Sequence, residues 1–341
     1  MTNYAHGGDI TAFAKTCACE VKELIDLSSN INFVKPQIDI DFNALDISPY
    51  PNYDALHQAI ASHYEIQSEE LELFNGDSSA IFRLFEHFKG RHKGLPHHCT
   101  IYAPAYLEYK KAAEIFEYTL QIIDRFNNFD EEVQKGSLVI FVNPSTPDGM
   151  YYDMESLLKK WQANNCTVLI DESFIEFISY TSITPLLSQY ENLYILKSLT
   201  KFFGAAGIRV GTLISQSNNI DELKKNEPLW KLSTFDSAYI QAVLQDVTFK
   251  SRSDIAQKKS KMYLMGILQK SLYIRTIYPS ESNYVLVELK GITAKALQEK
   301  LLAFKIMIRS CENFDGLGEY HVRIAVKSLS DLSALKEAFH A

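Results

Sequence analysis

Ser198-Leu199-Thr200-Lys201-Phe202-Phe203-Gly204-Ala205-Ala206-Gly207-Ile208-Arg209 holds the densest chemistry in the chain. Lys201 follows two hydroxyl residues and precedes a turn of small residues that ends in an arginine. A lysine that attacks an aldehyde needs a lowered pKa and a fixed approach. The hydroxyls and the guanidinium suit a phosphate dianion, and the small residues let backbone come close to a ligand. Alone, the segment equally suits a solvated lysine and a structural ion pair. Two more residues narrow the choice. Asp171 ends an apolar run and can oppose a ring pyridinium. Asn143, before Pro144, ends another apolar run and offers an amide to a phenolic oxygen. Asp at a strand end often only caps the next helix. Asn, Asp and Lys in this order, each at or just after a strand end, form a far more specific pattern.

The elements that must position these groups follow from hydrophobic spacing. Apolar runs at 99–102, 138–142, 167–170, 193–196 and 210–214 alternate with helical patterns at 54–64, 78–88, 105–116 and 153–164, the last with Asp153 as its predicted N-cap. Such runs predict an α/β fold with a mostly parallel sheet covered on both faces and a ligand beyond its carboxyl edge. A polar, helix-prone stretch over 219–272 leads to strands at 283–289, 306–310 and 320–326 with a helix at 293–304, which read as a smaller α+β lobe. We divide the chain into an N-terminal arm of loops at 1–45, a large domain at 46–240 and a small domain at 241–341. The boundary falls near 235–250.

Composition excludes several classes. With 341 residues, 46% hydrophobic and 22% charged, the chain is an ordinary globular protein. Its net charge of -8 argues against a nucleic-acid partner. Five cysteines at irregular spacing argue against a disulfide framework, and neither Cys17-Ala18-Cys19 nor His97-His98-Cys99 has a second ligand pair at metal spacing. The start MTNYAHGGD lacks a signal-peptide pattern, and no apolar run is long enough to span a membrane, so a cytoplasmic location is expected.

Nine segments give the chain a resemblance that runs from about His6 to Lys327. They are HGGD at 6–9, DLSSNIN at 26–32, YP at 50–51, NGDSSAI at 75–81, NPSTPDG at 143–149, DESFIEF at 171–177, SLTKFFGAAGIRVG at 198–211, IRSCENFDGL at 308–317 and YHVRIAVKS at 320–328. The chain resembles the fold-type I pyridoxal 5'-phosphate (PLP) enzymes near the histidinol-phosphate aminotransferases. It is closer still to the L-threonine O-phosphate decarboxylases of cobamide biosynthesis. The resemblance implies that Lys201 carries the cofactor as a Schiff base, Asp171 pairs with the pyridine nitrogen, Asn143 binds the phenolic oxygen and Tyr106 stacks on the ring. It implies that Gly76, Asp77, Ser78, Ser198, Thr200 and Arg209 surround the cofactor phosphate. Tyr50 would reach that phosphate from a second subunit, so a homodimer with shared sites is implied. Arg323 would hold the substrate carboxylate, with His6, Asn30 and Arg309 at the substrate's phosphate end and Asn143 bordering it.

Three departures from the family pattern bear on activity. Phe174 stands where the aminotransferases usually have tyrosine, which leans away from transamination. The loop NPSTPDG keeps Asn143 and both prolines but carries Thr146 and Asp148, and Asp9 in HGGD replaces the usual asparagine. The implied reaction is decarboxylation of L-threonine O-3-phosphate or L-serine O-phosphate to an amino alcohol phosphate. Histidinol-phosphate transamination and a catalytically silent PLP-fold binding protein are the alternatives.

Overall fold

A computed structural model describes residues 8–91 and 97–340. Its strands are β1 (Ile25–Asp26), β2 (Leu71–Phe74), β3 (His98–Ala103), β4 (Thr119–Asp124), β5 (Leu138–Val142), β6 (Thr167–Asp171), β7 (Leu193–Ser198), β8 (Gly211–Ile214), β9 (Ile274–Ile277), β10 (Tyr284–Leu289), β11 (Ile306–Met307), β12 (Arg309–Ser310) and β13 (His321–Ala325). The helices are α1 (Ile10–Thr16), α2 (Asp54–Tyr64), α3 (Asp77–Arg91), α4 (Leu107–Ile115), α5 (Glu155–Ala163), α6 (Leu199–Phe202), α7 (Ser217–Lys224), α8 (Thr234–Leu244), α9 (Phe249–Lys270), α10 (Ala294–Leu301) and α11 (Leu329–His340).

The large sheet has the order β2-β8-β7-β6-β5-β3-β4, and of its seven strands only β8 runs against the rest. Its side chains alternate between two cores. Val139 and Phe141 of β5, Val168 and Ile170 of β6 and Ile195 of β7 pack on one face. Leu138, Ile140, Val142, Leu169 and Leu196 pack on the other. Burial on both sides is why these strands read as unbroken apolar runs. The predicted α/β sheet is the observed one.

The small lobe is the antiparallel sheet β12-β13-β10-β9, backed by α9, α10 and α11. The polar stretch 219–272 is three helices, not one. Its last, α9, begins with Phe249 in the large core and ends with Leu264, Ile267 and Leu268 in the small one. The arm is more structured than loops. Asp9 caps α1 by accepting from the Ala12 N–H at 2.9 Å, and β1 pairs in parallel with β11. Asp153 takes the Glu155 N–H at 3.2 Å, while the N-cap of α5 is Met154.

Candidate active site

Three adjacent parallel strands deliver the chemistry to one edge. Asn143 follows β5, Asp171 ends β6 and Ser198 ends β7, with Lys201 on the single turn of α6 just beyond. On the far side, β2 ends at Phe74, Asn75-Gly76 turns, and α3 starts at Asp77. Gly211 of β8 is registered between Ser198 and Phe74. A Cβ on it would lie 2.7 Å from the Asp77 nitrogen, so only glycine lets α3 begin there. Gly76 has φ +76°, and a Cβ on it would collide with the Arg209 guanidinium.

Around this edge lies a cavity of about 220 Å³. Its wall carries Asn30, Asp77, Ser78, Tyr106, Asp171, Thr200, Lys201, Arg209 and Arg323 from the predicted set, with Thr146, Ser173, Ile31, Ile81, Phe174, Ala206 and Phe314 beside them. Lys201 Nζ donates to Asp77 Oδ2 at 2.7 Å and lies 5.4 Å from the centre of the Phe174 ring. Burial lowers the Lys201 pKa, but the Asp77 and Asp171 carboxylates outweigh it and hold the amine above its ordinary value. The lowered lysine pKa that the sequence predicts is therefore reversed here. Asp171 is pushed up by burial and by the Asp77 charge, opposed by Lys201, by Ser173 and by the Tyr109 hydroxyl. The last two donate to it at 2.8 Å each.

The segment 26–32 brings the arm into the site. Asp26 accepts from Ser28 N–H at 2.8 Å and shapes the turn that presents Asn30. Asn32 N–H donates to the Lys201 carbonyl at 3.1 Å, and its side-chain amide donates to the Phe202 carbonyl at 2.8 Å. Arg323 donates to the Ser28 carbonyl at 2.9 Å and to Thr146 Oγ1 at 3.1 Å. Burial lowers its pKa.

Several predicted residues stand off the cavity wall. Asn143 is fully buried and its amide is closed on the Tyr152 backbone, donating to the carbonyl at 3.0 Å and accepting from the N–H at 2.9 Å. It braces the 143–152 loop instead of facing the cavity. Arg309 is the cross-strand partner of Arg323, but its guanidinium donates to Asn313 at 2.9 Å and lies over Phe314. Ser198 is buried behind the wall, as Gly76 is behind Arg209. Tyr50 is 74% exposed and stacks on Trp230 at 4.0 Å. His6 lies outside the described residues. Sequence reasoning missed Tyr109, Ser173 and Gly211. Tyr109 sits one helical turn after Tyr106, and Asp-x-Ser is a common side-chain-to-backbone turn, so two of the three had a local signal.

Residues 23–341 match the family "Aminotransferase class I and II". The chain belongs to the class I and II aminotransferase family. Within it, the chain is 26% identical to the threonine-phosphate decarboxylase of Salmonella typhimurium, over 99% of this chain and 96% of that one. It is 27% identical to the histidinol-phosphate aminotransferase of Clostridium acetobutylicum, with TM-score 0.80 over 93% and 98% of the two chains. The L-threonine-O-3-phosphate decarboxylase of Porphyromonas gingivalis shares the fold, with TM-score 0.77 and 19% identity over 99% and 97%. The cofactor of this family member is pyridoxal 5'-phosphate.

The residues present fit that cofactor. Ser198 Oγ, Arg323 Nε and Asn30 Oδ1 are buried without hydrogen-bond partners. Buried polar atoms of this kind call for a ligand or solvent. The N-terminus of α3 would offer backbone N–H groups to the cofactor phosphate, and Thr200 and Arg209 stand on the same cavity wall. When bound, PLP supplies an electron sink for a bond broken at the substrate Cα. Among the described residues no helix is long and apolar enough to cross a membrane.

Proposed function

We propose that this protein is a PLP-dependent decarboxylase of an L-amino acid O-phosphate, L-threonine O-3-phosphate or L-serine O-phosphate. The product is the amino alcohol phosphate used in the cobamide nucleotide loop. The observation that carries the reading is Lys201 Nζ on the cavity wall, 2.7 Å from Asp77 and held protonated by two carboxylates. Decarboxylation ends by giving a proton to Cα, and an ammonium there is a ready donor, whereas transamination starts by removing one. Phe174 agrees, since it brings no hydroxyl to this wall.

In this reading Lys201 bears the cofactor, Asp171 faces its pyridine nitrogen and Tyr106 covers its ring. Gly76, Asp77, Ser78, Ser198, Thr200 and Arg209 form the phosphate end. Arg323 orients the substrate carboxylate through its remaining N–H, and Asn30, Arg309 and His6 serve the substrate phosphate. Binding energy from that remote phosphate fixes which Cα bond stands perpendicular to the ring. Asn143 reaches the phenolic oxygen only if its amide leaves the Tyr152 backbone. The exposed Tyr50–Trp230 stack belongs to a homodimer in which Tyr50 serves the neighbouring site.

Histidinol-phosphate transamination is the second reading, favoured by the 27% identity and TM-score of 0.80 to such an enzyme. The test is to incubate PLP-loaded protein with each amino acid phosphate, without a keto acid, and to measure CO2 and amine phosphate. Release from either is the expected result. No release, followed by turnover of histidinol phosphate once 2-oxoglutarate is added, overturns it.

A further inference from the structure

Asp77 places an acid in the first turn of α3. It opens α3, whose N-terminal N–H groups favour an anion. Its side chain adds a negative charge there. Oδ2 accepts from Lys201 Nζ at 2.7 Å and from Ser173 Oγ at 3.4 Å, while Oδ1 is buried without a partner. Gly211 packs against that oxygen, 2.7 Å from where its own Cβ would be, so the carboxylate is walled in from the β8 side.

We propose that Asp77 makes capture of pyridoxal phosphate wait on a proton, by holding Lys201 as an ammonium in the cofactor-free protein. The inference rests on the cofactor alone and not on the decarboxylase reading, because no amino acid substrate enters it.

The chemistry is simple. The Lys201 lone pair attacks the cofactor aldehyde carbon, one C=N bond forms and one water leaves. Only the neutral amine has that lone pair, so the ammonium must first release one proton to solvent. The groups facing Lys201 come from several elements. Asp77 of α3 and Asp171 of β6 favour the ammonium, and the Tyr106 hydroxyl acts in the same direction. Arg209 and Arg323 are the other cations that line the cavity. Asp77 alone among these touches Nζ as an ion pair. Asp171 is already bonded to Tyr109 and Ser173 and has a second task at the ring nitrogen. Asp77 is therefore the residue whose removal frees the amine while the two hydrogen bonds of Asp171 stay in place.

The experiment mixes cofactor-stripped protein with PLP, and separately with pyridoxal, which lacks the phosphate. The absorbance band of the lysine-linked compound is followed in a stopped-flow instrument between pH 6 and 9. For the unmodified protein the capture rate should rise roughly tenfold per pH unit, following the fraction of neutral amine. Asp77→Asn should capture both compounds faster at pH 7, by roughly tenfold, equivalent to moving the profile by about one pH unit. Asp77→Glu keeps the charge and should return the slow profile. If Asp77→Asn does not fold, as judged by circular dichroism, Asp77→Ser replaces it with the same expected direction.

Unchanged or slower capture by the neutral variant at every pH overturns the proposal. So does acceleration with PLP but not with pyridoxal, which would put the effect in repulsion of the phosphate. A fast, Asn-like profile for Asp77→Glu also overturns it.

Discussion

Asp171 shows how one residue can be costly to the fold and useful to the site. Burial pushes its pKa up, so the folded state binds a proton there more tightly than the unfolded chain. Stability from this group therefore falls as pH rises above the ordinary carboxylate value. Asp171→Asn removes the buried charge and keeps one acceptor, for the Ser173 N–H, while its NH2 donates to the Tyr109 oxygen, whose hydroxyl hydrogen turns away. We expect a melting temperature in the cofactor-stripped protein equal to or above that of the unmodified one. Turnover should fall on the order of a hundredfold or more, the usual scale for losing a preorganised charge. A lower melting temperature together with full turnover would contradict this. At this scale the sequence was legible where residue types recur in order at or just after strand ends, as Asp171 at the end of β6 and Lys201 just beyond β7 do. It was not legible where an amide has a competing partner. Asn143 looks available until the Tyr152 backbone is seen to close both its hydrogen bonds.

Among elements, β8 decides whether α3 can begin where it does. It runs antiparallel between β7 and β2, and its first residue lets Asp77 begin α3. Gly211→Ala should cost about 1–3 kcal/mol by overpacking and weaken PLP binding, read by denaturant melts and cofactor titration. Gly207→Ala, where a Cβ meets nothing within 4 Å, should change stability by about 0.5 kcal/mol or less. Equal effects from the two would sink the argument. Sequence reasoning found the five apolar strands but missed β2 and β4, the two edges of the sheet. β2 reads LELF, and its Glu72 breaks the apolar run. That glutamate is buried only because Lys231 and Lys224 neutralise it. β4 is mostly half-buried and too mixed to signal a strand.

The whole molecule depends on contacts between its two cores that no local pattern announces. Lys261, on the middle of α9, donates to the Ser280 carbonyl at 2.5 Å and to the Ser282 carbonyl at 2.7 Å. The Glu281 N–H in turn donates to the Gly149 carbonyl at 2.8 Å, and Tyr284 Oη donates to the Ser145 carbonyl at 2.7 Å. Through them α9 braces the loop whose Thr146 meets Arg323. Burial lowers the Lys261 pKa to about 8, with Glu281 opposing. The unfolded chain, with an ordinary lysine, then binds more protons above that pH, so this group's contribution to stability rises from about pH 8 towards 10.5. Below pH 8 it is charged in both states and the full burial cost applies. The unfolding free energy of the unmodified protein minus that of Lys261→Met should be more positive at pH 9.5 than at pH 7.5. A difference independent of pH would refute the assignment.

The arm has a consequence for time as well as place. Arg323 donates to the Ser28 carbonyl across 295 residues of sequence, and β1 has its partner in β11. Asn30 and Ile31, on the cavity wall, lie in the segment that these contacts hold. Contacts of such long range form late in folding, because loop closure must come first. On the ribosome, the large sheet can assemble while β1 and the segment 26–30 still wait for their partners. The pocket is thus sealed only after synthesis has passed β13, and a nascent chain halted before that point would carry Lys201 and Asp171 on a formed sheet without a finished place for substrate.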